Sequence, residues 1–299
     1  MSNAPIVGFI GVGVMGQPMA LHLLAKGHTL HVYDRSAEAL AVLEAAGAQI
    51  ASSARAVAEQ ASVVFTSLPN PAILEAVVFG PEGLAEGRAM KVLADLSTVG
   101  PELIRSLAER LAGQGVSVVD APISGGAERA RSATLAVMMS GAPEALRQVM
   151  DLAAAFGTEL FNVGEQPGQA QLLKLLNNML SSTALLITAE AFVAGVRGGL
   201  DPQLMIEVFN AGTGKNGSTM DKFPRHVLTG SFDFGHSMAG VCKDVGLAVD
   251  ACQALGVPMW LGNSARQLWT AAAQGGARQD MTAVVKTIEG WAGAADTCP

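Results

Sequence analysis

Lys174 and Asn178 stand four residues apart in a long apolar stretch with helical spacing, Gln169 to Arg197, so both fall on one face of one helix, a turn apart. A neutral lysine amine can take the proton from a hydroxyl as hydride leaves the adjacent carbon; as ammonium it can return that proton during carbonyl reduction. Such work requires the free value of about 10.4 to fall towards roughly 7 to 8, and a helix otherwise apolar offers the desolvation. On the residues alone, a lysine snorkelling from the edge of a core helix would look the same. Upstream, Ser124-Gly125-Gly126 follows a strand-like run and offers a hydroxyl and two unobstructed N–H groups. That set suits a carboxylate, although such triplets also mark plain turns.

A second constellation lies at the N-terminal end. Gly11-Val12-Gly13-Val14-Met15-Gly16 follows a short apolar strand and opens a helix. In that context Gly11 permits a tight turn, Gly13 lets backbone approach a pyrophosphate, and Gly16 lets helix pack on strand, while the helix N-terminus offers N–H groups to the phosphates. Glycines alone could make a packing turn. Asp34, at the end of the run TLHVYD, adds the carboxylate that the dinucleotide fingerprint uses to receive ribose hydroxyls. It favours NAD, because a carboxylate repels a 2'-phosphate; Arg35 and Ser36 beside it could hold that phosphate, making NADP the alternative.

These residues must be positioned by a recurring pattern. Through the first 160 or so residues, β-branched runs (IVGFI, TLHVYD, Ser62 to Leu68, Lys91 to Ser97, Val116 to Ala121, Leu135 to Gly141) alternate with Ala/Leu-rich stretches such as Gln17 to Lys26 and Ala37 to Ala46. The order predicts a mostly parallel, doubly wound sheet with helices on both faces. After about Val163 helical spacing takes over: Gln169 to Arg197, Pro202 to Ala211, Ser237 to Leu255, Pro258 to Gln274 and Met281 to Ala292. The predicted organisation is a dinucleotide-binding α/β domain over 1–164 and an all-helical domain over 165–299, joined through the long helix. That helix is apolar on most of its circumference and so is expected to lie between domains or against another subunit.

The bulk numbers narrow the function classes. With 299 residues, half hydrophobic and 15% charged, the chain can bury enough to fold without metals or disulfides. A net charge of -7 disfavours nucleic acid. Cys242, Cys252 and Cys298 suit a reducing compartment, and the N-terminus lacks a secretory pattern, so a cytoplasmic protein is expected. Leu175 to Val196 is the only candidate membrane span, and its Asn177, Asn178, serines, threonines and Glu190 argue for a core helix instead. The five histidines and the cysteines show no metal-ligand spacing, so no metal is assigned.

Four motifs in order, Gly11 to Gly16, Asp120-Ala121-Pro122-Ile123-Ser124-Gly125-Gly126, Gly168 to Asn178 with Lys174, and Lys243-Asp244, give the chain a resemblance to the β-hydroxyacid dehydrogenase family over nearly its whole length. Members include 3-hydroxyisobutyrate dehydrogenase and tartronate semialdehyde reductase, and 6-phosphogluconate dehydrogenase is a larger cousin. The resemblance implies a Rossmann-like fold and an NAD(P)-dependent oxidoreductase of a small hydroxy acid or its semialdehyde, 3-hydroxyisobutyrate before tartronate semialdehyde. It further implies Lys174 as the catalytic lysine, Asn178 as a substrate-orienting residue, Ser124, Gly125 and Gly126 at the substrate carboxylate, Thr98 at the cofactor edge and Lys243 towards the nicotinamide. Read without it, Lys243 and Asp244 could equally be an exposed pair worth under about 1 kcal/mol. Departures are Ala170 and Ala133 where relatives usually carry glycine, and Glu128-Arg129-Ala130-Arg131 after the glycines, either a response to a second acidic group or a solvated helix face. Ser181 stands where the decarboxylating cousin needs glutamate, and Lys174 argues against imine reductases, which usually replace it. A homodimer or homotetramer is expected. A non-catalytic nucleotide-sensing protein is the alternative of a different class, and it would not need Lys174.

Overall fold

β-Branched runs become strands where both faces can be covered, and a computed structural model describing residues 6–293 shows how; Cys298 lies outside the described residues. β1 (Val7–Ile10), β2 (Leu30–Tyr33), β3 (Gln49–Ile50), β4 (Val63–Thr66), β5 (Val92–Asp95) and β6 (Ser117–Asp120) run parallel, in the order β3-β2-β1-β4-β5-β6. Between them pass α1 (Gly16–Ala25), α2 (Ala37–Ala45), α3 (Ala54–Ala58), α4 (Pro71–Phe79) and α5 (Pro101–Ala112). Side chains alternate between two cores. Val63, Phe65, Val92, Ala94 and Val119 join Met19 and Leu23 of α1. Val64, Leu93 and Val118 join Leu74 of α4 and Leu107 of α5. Two covered faces explain why these strands read as unbroken apolar runs. Strand order reverses at β1, and sheets of this type take ligands outside the carboxyl ends at such a point.

Past β6 the sheet is no longer wholly parallel. There follow β7 (Ile123–Ser124), α6 (Gly126–Arg131), β8 (Leu135–Ser140), α7 (Pro143–Ala153) and β9 (Gly157–Gly164); β8 is antiparallel to β6 and β7 and parallel to β9. β3, β7 and β9 lie outside the apolar runs that predict the other strands. The first two have only two residues each, and β9 leaves most of its side chains outside the core, so none carries the apolar run that marks the rest.

α8 (Gln169–Arg197) follows, and the chain divides into two compact units between Lys174 and Leu175, within this helix. By length and composition α8 could cross a membrane; its Leu185, Leu186, Ala189, Phe192 and Val193 are buried in protein core. The second unit is helical, with α9 (Pro202–Ala211), α10 (Met238–Ala254), α11 (Trp260–Gly276) and α12 (Val284–Trp291). Asp201 caps α9 by accepting the Leu204 N–H at 2.7 Å, and Ser237 caps α10. Phe192, Phe223 and Trp269 anchor its core. A π-helix at Ser218–Val227, polar and containing Pro224, escaped the periodicity reading because its repeat is not the α-helical one.

Candidate active site

The glycine loop is shaped by contacts that exclude side chains. Gly11 takes φ 87°, and a Cβ there would overlap the Ser67 carbonyl oxygen; one on Gly16 would overlap the carbonyl of Gly11. Gly13 is different, because nothing lies within 4 Å of the place its Cβ would take. α1 begins with no side-chain cap and no acid in its first turn; Gln17 N–H already donates to Gly13 O and Pro18 has none, so the donors left for an anion are those that precede Gln17 at the loop–helix junction. An open glycine edge beside an uncapped helix start fits the pyrophosphate of a dinucleotide. Val14 is exposed beside it, and Met15 packs on the core. Asp34 is tied to this loop: Oδ2 accepts the Val12 N–H at 2.7 Å and Oδ1 the Ser36 N–H at 2.8 Å. Arg35 is exposed.

Thr98 follows β5 and Ser124-Gly125-Gly126 follows β6, so both stand at carboxyl ends of the same sheet as the glycine loop. Gly125 at φ 135° and Gly126 at φ 70° hold backbone shapes that side chains disfavour, and the stem of Arg129 packs against Gly125. Ala133, where relatives usually carry glycine, takes φ 55°.

Three buried polar side chains fasten the start of α8 to those strand ends. Asp120 Oδ1 accepts the Ser140 hydroxyl at 2.6 Å and the Gly168 N–H at 2.9 Å, and its Oδ2 accepts the Gln171 N–H at 2.8 Å. Ser140 Oγ accepts the Ala170 N–H at 2.9 Å. Gln171 reaches back, its Oε1 accepting from Val99 and Gly100 at 3.0 and 3.1 Å and its Nε2 donating to the Ser97 carbonyl at 2.8 Å. Lys174, one turn on, is 7% exposed. Asp120 and Gln171 sit in motif segments and Ser140 in a strand run, yet nothing local marked their role.

Asp95 lies opposite Asp120 in the β5–β6 register and is fully buried. Its Oδ1 accepts the hydroxyls of Thr66 and Ser97, each at 2.7 Å, and its Oδ2 has no hydrogen-bond partner among the described residues. Burial, opposed by those hydroxyls and helped by the Asp120 charge, pushes Asp95 up to about 6. Burial likewise raises Asp120. Because the folded value lies above the unfolded one, the fold holds the proton more tightly; stability from this group is full below about 3.8 and declines as pH rises to about 6. The loss approaches about 3 kcal/mol above that window. Asp95→Asn is therefore expected to remove this decline, seen by denaturant unfolding at several pH values between about 4 and 7. Parallel decline of the two proteins would overturn the assignment.

In the second unit Asn178 Nδ2 donates to Asp244 Oδ2 at 2.8 Å. Asp244 also faces His236 Nε2 at 3.5 Å and Lys243 Nζ at 3.2 Å. Asp244 is buried and Lys243 half-buried, so the exposed-pair reading fails for the acid. Burial opposes ionisation of Asp244, but the His236 bond and the Lys243 charge outweigh it and hold the carboxyl below its usual range. Sequence reasoning named Asn178 and the Lys243–Asp244 pair but not the bond from Asn178 to Asp244, nor His236 beside it. The Lys-Asp dipeptide was the available signal. Among the described residues no His, Cys, Asp and Glu cluster suited to a metal occurs.

The chain is similar to known proteins over nearly its whole length. Residues 6–164 match the model for the NAD binding domain of 6-phosphogluconate dehydrogenase, and 168–288 that for the NAD-binding region of NADP-dependent 3-hydroxyisobutyrate dehydrogenase. The chain is 34% identical to 2-(hydroxymethyl)glutarate dehydrogenase of Eubacterium barkeri over 97% of its length and 96% of the relative's. It is 34% identical to 3-hydroxyisobutyrate dehydrogenase of Pseudomonas aeruginosa, covering 95% and 98% of the two chains. A solved 3-hydroxyisobutyrate dehydrogenase of Mycobacterium tuberculosis with L-serine superposes with a TM-score of 0.85 at 29% identity, covering 96% and 99%. The chain belongs to the β-hydroxyacid dehydrogenase family. It is an NAD(P)-dependent oxidoreductase.

Proposed function

We propose that the protein moves hydride between NAD and the hydroxyl-bearing carbon of a small β-hydroxy acid or its semialdehyde, with a 3-hydroxyisobutyrate-like acid first and tartronate semialdehyde second. One observation carries the reading: Lys174 is 7% exposed, one turn beyond a helix start that Asp120 and Gln171 fasten to the same strand ends as the glycine loop. In this reading residues 1–164 hold the cofactor and 165–299 supply substrate contacts and self-association. The bound nicotinamide supplies or accepts the hydride. Lys174 passes a proton to or from the substrate oxygen, Asn178 orients that oxygen, and Ser124 with the N–H groups of Gly125 and Gly126 grips the carboxylate. Gly11, Gly13, Val14, Met15 and Gly16 border the pyrophosphate, with Thr98 and Lys243 towards the nicotinamide. Asp244 and His236 keep Asn178 oriented.

NAD is preferred to NADP because two backbone N–H groups hold the Asp34 carboxylate in place, with Arg35 left exposed. Asp34→Asn is expected to shift the NAD/NADP ratio of kcat/KM towards NADP by tenfold or more, since a charge-assisted bond is worth about 1.5–3 kcal/mol. An unchanged ratio would return the choice to Arg35. We further infer a cytoplasmic homodimer or homotetramer built on the exposed Leu180 and Ile187 of α8, seven residues apart, with the exposed Trp260 and Leu261 of α11, whose neighbour Gly262 lies against Met179 of α8. The functional test is hydride transfer with both cofactors across hydroxy acids and semialdehydes of graded length and charge. Absence of turnover with every β-hydroxy acid would refute the substrate class.

A further inference from the structure

Lys222 is the buried cation that this reaction scheme leaves unused. It is 4% exposed, in the π-helix of the second unit. Its ammonium donates to Ser181 Oγ at 3.1 Å and lies 4.9 Å from the centre of the Phe234 ring. Among the described residues no carboxylate forms an ion pair with it; the neighbouring Asp221 pairs with Arg225 instead, at 3.1 Å. Burying a charge without a counter-charge costs several kcal/mol, so folds that keep one generally have an anion to meet it. Burial indeed depresses the Lys222 value.

The surroundings define where such an anion would enter. Ser181 is half-buried and Phe234 keeps 37% of its surface exposed, so the ammonium lies between two residues a ligand can touch. Phe234 is braced edge-on by His226, ring centres 5.6 Å apart, and His226 Nδ1 stands 2.7 Å from Asp233. Ser181 follows Asn178 by three residues and Lys174 by seven, so along one continuous helix all three share a face. The rise from 174 to 181 is about 10 Å.

We propose that Lys222 and Ser181 form an anion subsite in the second unit, selecting hydroxy acids that bear a second acidic group. The proposal rests on the hydroxy-acid reading above and narrows its substrate to hydroxy acids with a second acidic group, for which glutarate serves as the probe. The ammonium gives up the serine hydroxyl, or shares it, to meet the second acid group, and the Phe234 face borders that group's methylenes.

Binding tests it without turnover. Calorimetry on the full-length protein saturated with NAD compares glutarate with butyrate, an acid of similar length and one charge fewer. Wild type is expected to bind glutarate at least tenfold more tightly, and Lys222→Met to lose most of that ratio. Lys222→Arg, which keeps the charge, should retain part of it. Should Lys222→Met fold poorly, Ser181→Asp neutralises the ammonium from the other side and should collapse the ratio equally. Equal affinities in wild type, or a ratio surviving both Lys222→Met and Ser181→Asp, would overturn the subsite. A diacid preference without turnover of any β-hydroxy acid would sink the functional reading and leave the subsite standing.

Discussion

Replacing Lys174 with methionine is expected to lower kcat by about 10²–10⁴, the usual contribution of a positioned acid or base. Methionine keeps an unbranched apolar stem where the side chain is 7% exposed, so it removes the ammonium without opening the cavity that alanine would leave. The design separates two roles that look alike in the sequence. A lysine that merely snorkels lends packing and little else, and its replacement would shift the melting temperature while turnover continued. A proton-transfer lysine gives the reverse. NADH binding, followed by fluorescence, should persist in the variant, since the glycine loop and Asp34 are untouched. Full turnover by a normally folded Lys174→Met protein would end the assignment.

Asp120→Ala carries the second large effect, first on stability. It deprives the Ser140 hydroxyl and the N–H groups of Gly168 and Gln171 of their acceptor in a buried place. Each unmet donor costs about 1–3 kcal/mol, so the three together are expected to cost roughly 3–9 kcal/mol. For a chain of this size that corresponds to a fall in Tm on the order of 10 °C. Asp120→Asn keeps one acceptor oxygen, and its amide can donate to Ser140 Oγ, so it should fold better. It should still turn over slowly, because the turn bearing Lys174 loses one of its ties, and a displacement of about 1 Å can cost 10²-fold. A kcat deficit with an unchanged KM for NAD in Asp120→Asn is the signature of positioning. Wild-type melting in Asp120→Ala would show the bonds to be incidental.

Asp120 also illustrates what could be read early. It stood inside a motif quoted from the sequence, yet its role depends on Gly168 and Gln171, 48 and 51 residues away. No local pattern announces a hydrogen bond of that span. Lys222 was invisible for a related reason. Its meaning lies in meeting Ser181 across 41 residues while the adjacent Asp221 pairs with Arg225, whereas in sequence it is a lysine next to an aspartate.

What the sequence determined by itself is the local grammar: apolar runs for β1, β4, β5 and β6, helical spacing for α8, α9 and α10, and a glycine loop with Asp34 at its fixed interval. Those features follow from backbone sterics and from the periods of strand and helix, which act within a few residues. Tertiary structure alone decided which polar groups are buried and whom they meet, as with Asp95 beside Asp120, Asn178 on Asp244 and Lys222 on Ser181. Burial and pairing set the energy of a charge, and both depend on chain segments far apart in sequence.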